Sequence, residues 1–240
     1  MKMHFTLRFA ASVILASQVV CAQTYPLRDQ GSEVHLRIAS TQPGQQRSIP
    51  AVLWLQPLAG TPAPSFVPHG LYTLLQKNRA FIPHLQVVPV GAIIQFPNAD
   101  PFFHNVFSLF DGRRFDLGLY ESGTSKSVTF SREGVSYIFC NIHPEMSAVV
   151  IAISSPYYSI ADDKDVFSLR GIPPGKYTVH LWIEGVPQTV LDHWTHPIHL
   201  AAQSVDLGTV TIPASHGEIT NHPNKFGEKY DPHQPSPYFH

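Results

Sequence analysis

The sequence predicts an all-β protein of sandwich type, and two observations carry that reading. Short runs of alternating apolar and polar residues recur along the chain, each bounded by Pro, Gly, Asn or Asp. Helix-period stretches are scarce. Composition agrees: 43% of the 240 residues are hydrophobic, enough for a packed core, which excludes wholesale disorder. The 16 Lys and Arg against 17 Asp and Glu lack the basic surplus that phosphate binding needs, so nucleic acid is excluded as the main partner.

The elements follow in order. Lys2 and Arg8 precede an apolar run over 9–20, and Val20-Cys21-Ala22 offers small residues for cleavage. This pattern describes a secretory signal over 1–22 rather than a membrane span, so a periplasmic or secreted protein without stable membrane insertion is expected. Cleavage after Ala22 removes Cys21 and leaves Cys140 as the single thiol, so no internal disulfide can form. Residues 34–38 alternate as a half-buried strand, and 51–55 are apolar on both faces. Residues 57–75, rich in Pro, Ala and Gly, read as a long loop, with one short helix over 70–77. Runs 85–90 and 92–96 flank Gly91 as a hairpin, and a turn over 98–101 leads into a strand at 104–107. Further strands are predicted at 127–130, 135–139, 148–153, 166–169, 177–182 and 205–212. After Pro213 the apolar periodicity stops, and 214–240 read as a flexible tail.

The chemistry concentrates at Cys140-Asn141-Ile142-His143-Pro144-Glu145-Met146, directly after a strand. A thiolate, an imidazole and a thioether within seven residues make a ligand set suited to copper cycling between two oxidation states. Zinc is the nearest rival, but no second thiol exists for a structural zinc cage. A fourth ligand must come from elsewhere, and His104, in an aromatic setting after Phe102 and Phe103, supplies it. His104, Cys140 and His143 then form a trigonal plane, with Met146 as a weak axial ligand.

The segment from Asp100 to His104-Asn105-Val106, together with Cys140-x2-His143-Pro144-x-Met146, resembles the cupredoxins, specifically the amicyanin and plastocyanin-like group. Phe96-Pro97-Asn98, the run from His104 to Ser108, and Phe115-Asp116-Leu117-Gly118 are similar to exported cupredoxin-domain proteins labelled methylamine-utilisation-like. The resemblance covers residues 76–155. It implies a Greek-key sandwich, one type 1 copper ion, and a role for Asn105 in tying together the two ligand-bearing loops. Pro144 stiffens the short ligand loop. No enzyme activity is implied.

Downstream, Gly171-Ile172-Pro173-Pro174-Gly175-Lys176-Tyr177 resembles the turn that enters a late strand of transthyretin-like or carboxypeptidase-regulatory-like sandwiches. A discontinuous sandwich of residues 30–58 plus 156–213 is therefore expected, with the cupredoxin domain 76–155 inserted between its parts. In that arrangement strand 51–55 must pair with a strand from 156–213.

His193, His196 and His199 have metal-like spacing, but offsets of three on a strand alternate faces, which argues against convergence. His84 is a reserve ligand candidate with structural duty the stronger reading. The function expected is a one-electron carrier with a transient redox protein partner, His143 serving as the exposed edge and Phe102, Phe103 and Pro144 as an apolar docking patch. The alternative is a copper-binding, delivery or sensing protein without electron transfer.

Overall fold

A computed structural model describes residues 31–41, 49–109, 112–212 and 224–228. The expected signal over 1–22 and most of the tail lie outside the described residues. In chain order the strands are β1 (Ser32–Ser40), β2 (Ala51–Pro57), and three short ones, β3 (Tyr72–Thr73), β4 (Leu75–Lys77) and β5 (Ala80–Ile82). They continue as β6 (Leu85–Pro89), β7 (Ala92–Pro97), β8 (His104–Ser108), β9 (Phe115–Tyr120), β10 (Ser125–Phe130), β11 (Gly134–Cys140) and β12 (Ser147–Ile153). Last come β13 (Tyr158–Ile160), β14 (Val166–Ile172), β15 (Gly175–Ile183), β16 (Pro197–Leu200) and β17 (Val205–Ile212). A four-residue helix, α1 (Gln188–Leu191), lies between β15 and β16.

Two sandwiches result, as the all-β class requires. In one, sheet β14-β1-β17 faces sheet β13-β2-β15-β16. Its core interleaves Val34, Leu36, Ile38, Phe167 and Val210 with Leu53, Leu55, Tyr177, Val179 and Leu181. Here β1 pairs with β14 and β17, while β2 pairs with β13 and β15, so strands from before residue 58 are completed by strands from after residue 157. In the other, sheet β6-β12-β11-β8-β9 faces sheet β10-β7-β3 around Phe96, Val106, Phe130, Ile138 and Val150.

The two middle sheets are apolar on both faces, and the reason is a third buried layer between the sandwiches. Along β2, Ala51, Leu53 and Leu55 point into the first core, while Val52 and Trp54 point the other way. Along β12, Ala148, Val150 and Ala152 enter the second core, while Val149, Ile151 and Ile153 meet Val52 and Trp182. Period-two alternation thus serves two cores at once. The Trp182 indole N–H donates to the Tyr137 hydroxyl at 3.2 Å, and His84 is hydrogen-bonded to Glu184 at 2.6 Å and to the Ser147 carbonyl. His84 therefore ties the sandwiches together instead of binding metal.

Two expectations are corrected. Residues 70–77 form β3 and β4, not a helix, because Tyr72 and Thr73 pair with Ile94 and Gln95 of β7, and β4 forms a hairpin with β5. Runs 85–90 and 92–96 are not a hairpin. Gly91, at φ +90°, turns the chain from one sheet to the other, so β6 pairs in parallel with β12 while β7 pairs with β10 and β3. The loop expected over 57–75 holds through Leu71. No helix among the described residues is long and apolar enough to cross a membrane.

Trp182 is 2% exposed and lies between the sandwiches, so Trp182→Ala should lower unfolding free energy by about 3–5 kcal/mol in denaturant titrations. Tyr137→Phe removes only the hydrogen bond and should cost about 1 kcal/mol.

Candidate metal centre

Strand pairing delivers two of the donors. Cys140 closes β11 and is paired with Val106 of the antiparallel β8. Side chains of Ile138 and Cys140 share one face of β11, and those of His104 and Val106 share one face of β8. That face looks into the core of the second sandwich, where Cys140 packs. The third donor comes from the loop after β11. His143 opens a tight turn, with Pro144 next in line, and the Met146 N–H donates to the His143 carbonyl at 3.0 Å. The Cys140 N–H donates to the Met146 carbonyl and the Asn141 N–H to the Asn105 carbonyl, both at 3.3 Å. These bonds fold the loop back over the strand end.

The three ligand atoms converge. Cys140 Sγ lies 3.6 Å from His104 Nδ1 and 3.6 Å from His143 Nδ1, and the two nitrogens are 3.2 Å apart. A point equidistant from all three sits about 2.0 Å from each, close to ordinary metal–imidazole and metal–thiolate bond lengths. This is the only group of three or more His, Cys, Asp or Glu donors within 4.8 Å of one another among the described residues. His193, His196 and His199 form no such group. Met146 is fully buried in the same core as Cys140.

Electrostatics suit these donors to a cation. Burial pushes the Cys140 thiol up, while N–H groups of Asn105, Ile142 and His143 pull the other way. Those N–H groups would stabilise the thiolate, the form that ligates a metal. Burial lowers His104 despite the partnership of Asp100. Burial, followed by neighbouring His104, pushes His143 down to about 4. Both rings are thus held neutral, the form that ligates.

Sequence reasoning missed most of the surroundings. The far nitrogen of His104, Nε2, is hydrogen-bonded to Asp100 Oδ2 at 2.9 Å. The Asn105 amide donates to Asp116 Oδ1 at 2.7 Å, and the Lys225 ammonium meets Asp116 Oδ2 at 2.9 Å. The Lys225 N–H also donates to Asn141 Oδ1 at 2.8 Å. Residues 224–228, expected as part of a free tail, therefore dock on the ligand loop. Nothing in tail composition signals this, since the contacts span 84 and 109 positions.

Phe102 packs against both imidazoles, with ring centroids 5.3 Å from His104 and 5.4 Å from His143, and the Arg79 guanidinium lies over it. His143 is only 5% exposed, so the expectation of an exposed edge is corrected to a narrow window beneath Phe102. Phe103 is half exposed beside it.

The sequence matches no protein-family model and no curated protein. Among solved structures, it is similar to a purple cupredoxin from Nitrosopumilus maritimus, 21% identical, covering 34% of this chain and 99% of that one at a TM-score of 0.31. A copper-containing nitrite reductase from Thermus scotoductus SA-01 is 20% identical, covering 49% of this chain and 28% of that one at a TM-score of 0.35. An oxidized amicyanin variant is 20% identical, covering 36% and 86% at a TM-score of 0.33.

An unfolded imidazole titrates near ~6.5. Between there and about 4 the unfolded chain takes up a proton that the folded His143 refuses, so stability falls as pH falls. Metal-free protein should melt at a lower temperature at pH 5 than at pH 7.5, and His143→Asn should flatten that difference. Lys225→Ala, which removes a half-exposed ion pair, should cost less than ~1 kcal/mol of stability. Amide exchange at Asn141 should nonetheless accelerate in that variant.

Proposed function

We propose that this protein is an exported one-electron carrier holding a single copper ion through His104, Cys140 and His143, with Met146 as a weak axial ligand. The observation that carries this reading is the buried triangle of two Nδ1 atoms and one Sγ. Two imidazoles and one thiolate in a trigonal set, with a thioether nearby, form the donor chemistry that suits copper in both oxidation states. Bound there, copper supplies reversible exchange of one electron.

The chain's own residues do the rest. β8, β11 and the ligand turn hold the donors from three directions, so little rearrangement accompanies a change of charge. Phe102 and the surrounding core would keep water away from the donors. His143, at its narrow window, is the donor nearest solvent, and half-exposed Phe103 and Pro144 give it an apolar rim. A rim of that size suits a brief encounter with a redox protein rather than a lasting complex. The fully buried His104 and Cys140, held on the paired strands β8 and β11, favour retention of the ion over its delivery to another protein.

Copper-loaded protein should show an intense visible absorption band and an EPR spectrum with narrow copper hyperfine splitting. Both should vanish in Cys140→Ser. Matching spectra from the parent and the variant would sink the assignment.

A further inference from the structure

Asp100 has no place in the donor triangle, yet it is almost fully buried, with 3% of its surface exposed. Its carboxylate is built into position. The N–H groups of Asn78 and Arg79 donate to Oδ1 and Oδ2 at 2.6 and 3.0 Å, and His104 Nε2 meets Oδ2 at 2.9 Å. The Asp100 N–H donates to Asn98 Oδ1 at 3.0 Å, and the Asn98 amide donates to the Phe102 carbonyl at 2.8 Å. Asn78 and Arg79 form the two-residue turn between β4 and β5, both at positive φ, 56° and 54°. This backbone conformation, uncommon for residues other than glycine, aims two consecutive N–H groups at one carboxylate.

We propose that Asp100 is a positioning residue that fixes His104 as an Nδ1 donor and biases the centre toward the divalent state of its metal, which makes it a low-potential site. The proposal rests on the copper reading above. A carboxylate accepting from Nε2–H commits the ring to one tautomer and one orientation, and it strengthens Nδ1 as a donor. Charge counting gives the same direction. With Asp100 and the Cys140 thiolate, the site holds two negative charges in a largely dry interior. These balance a divalent cation and exceed a monovalent one by a full charge, where water does little to screen the excess. One electron enters on reduction, and no proton needs to move, because Nε2–H and the carboxylate stay as they are. The Arg79 guanidinium stands outside Phe102, on the solvent side, so it only partly offsets this charge.

The test uses the full chain loaded with copper, as the parent, Asp100→Asn and Asp100→Ala. With its amide oxygen at the Oδ2 position, asparagine keeps an acceptor for His104 and the Arg79 N–H, loses the one that faces the Asn78 N–H, and removes the charge. Cu(II) and Cu(I) affinities are measured by chelator competition, the midpoint potential by redox titration, and the His104 Nε2–H proton by NMR in the diamagnetic Cu(I) form. Asp100→Asn should lose about ten-fold more affinity for Cu(II) than for Cu(I), an upward shift of about 59 mV for one electron, and should retain a slowly exchanging Nε2–H. In Asp100→Ala that proton should exchange rapidly. An unchanged Cu(II)-to-Cu(I) affinity ratio in Asp100→Asn, with the Cys140-dependent band intact, overturns the proposal. Should Asp100→Ala fail to fold, the asparagine variant decides alone. A parent without a Cys140-dependent band overturns the copper reading instead, and a protected Nε2–H in Zn(II)-loaded parent then still reports on the Asp100–His104 tie.

Discussion

The pairing of Cys140 with Val106 across β11 and β8 is the contact on which the centre depends. It sets the register that brings Cys140 beside His104, and it places both side chains on the inner face of one sheet. A slip of one residue would send Cys140 to the opposite face, because strand side chains alternate strictly. The register is held by more than this pair. Six consecutive partners join β11 to β12, and on the inner face Ile138 is locked among Val88, Ala148 and Val150 in the core. The site inherits its rigidity from that packing.

The same alternation explains how two sandwiches share one molecule. β2, β12 and β15 carry apolar side chains on both faces because each faces a core on one side and the neighbouring sandwich on the other. Nearly continuous burial along β12 is the consequence. Trp182, Tyr137 and the His84–Glu184 pair add directional contacts to an otherwise non-directional apolar layer. Since β11 lends Tyr137 to this layer and Cys140 to the site, the junction between the sandwiches and the metal centre share a strand.

Around the donors, polar groups from distant stretches act as a frame. Asp100, gripped by the β4–β5 turn, braces His104 from behind. Asp116 joins Asn105 to Lys225, and Asn141 joins the ligand loop to the same lysine. Burial raises the carboxyls of Asp100 and Asp116, but their hydrogen bonds outweigh it and hold both below the usual range, so both carry charge at neutral pH. The frame therefore brings fixed negative charge close to two neutral imidazoles.

By itself the sequence determined the all-β class, most strand positions and the donors of the ligand turn, because these depend on local alternation and on short-range spacing, whereas bringing His104, 36 positions upstream, to Cys140 took the pairing of β8 with β11. Cys140 and His143 are three residues apart, and their chemistry is readable from residue type alone. The apolar runs 34–38 and 51–55 are readable as strands, but that they pair with β14, β17 and β15 is seen only in the fold. Tertiary structure alone decided the rest. The helix expected over 70–77 gave way to strand pairing with β7, since partners 22 positions away outweigh weak local propensity. Gly91 became a corner between sheets rather than a hairpin tip, because the strands it joins found better partners elsewhere. His143 was withdrawn beneath Phe102, and Lys225 was drawn onto Asp116 and Asn141. Such contacts arise between segments with no periodic signal in common, and only the folded chain brings them together.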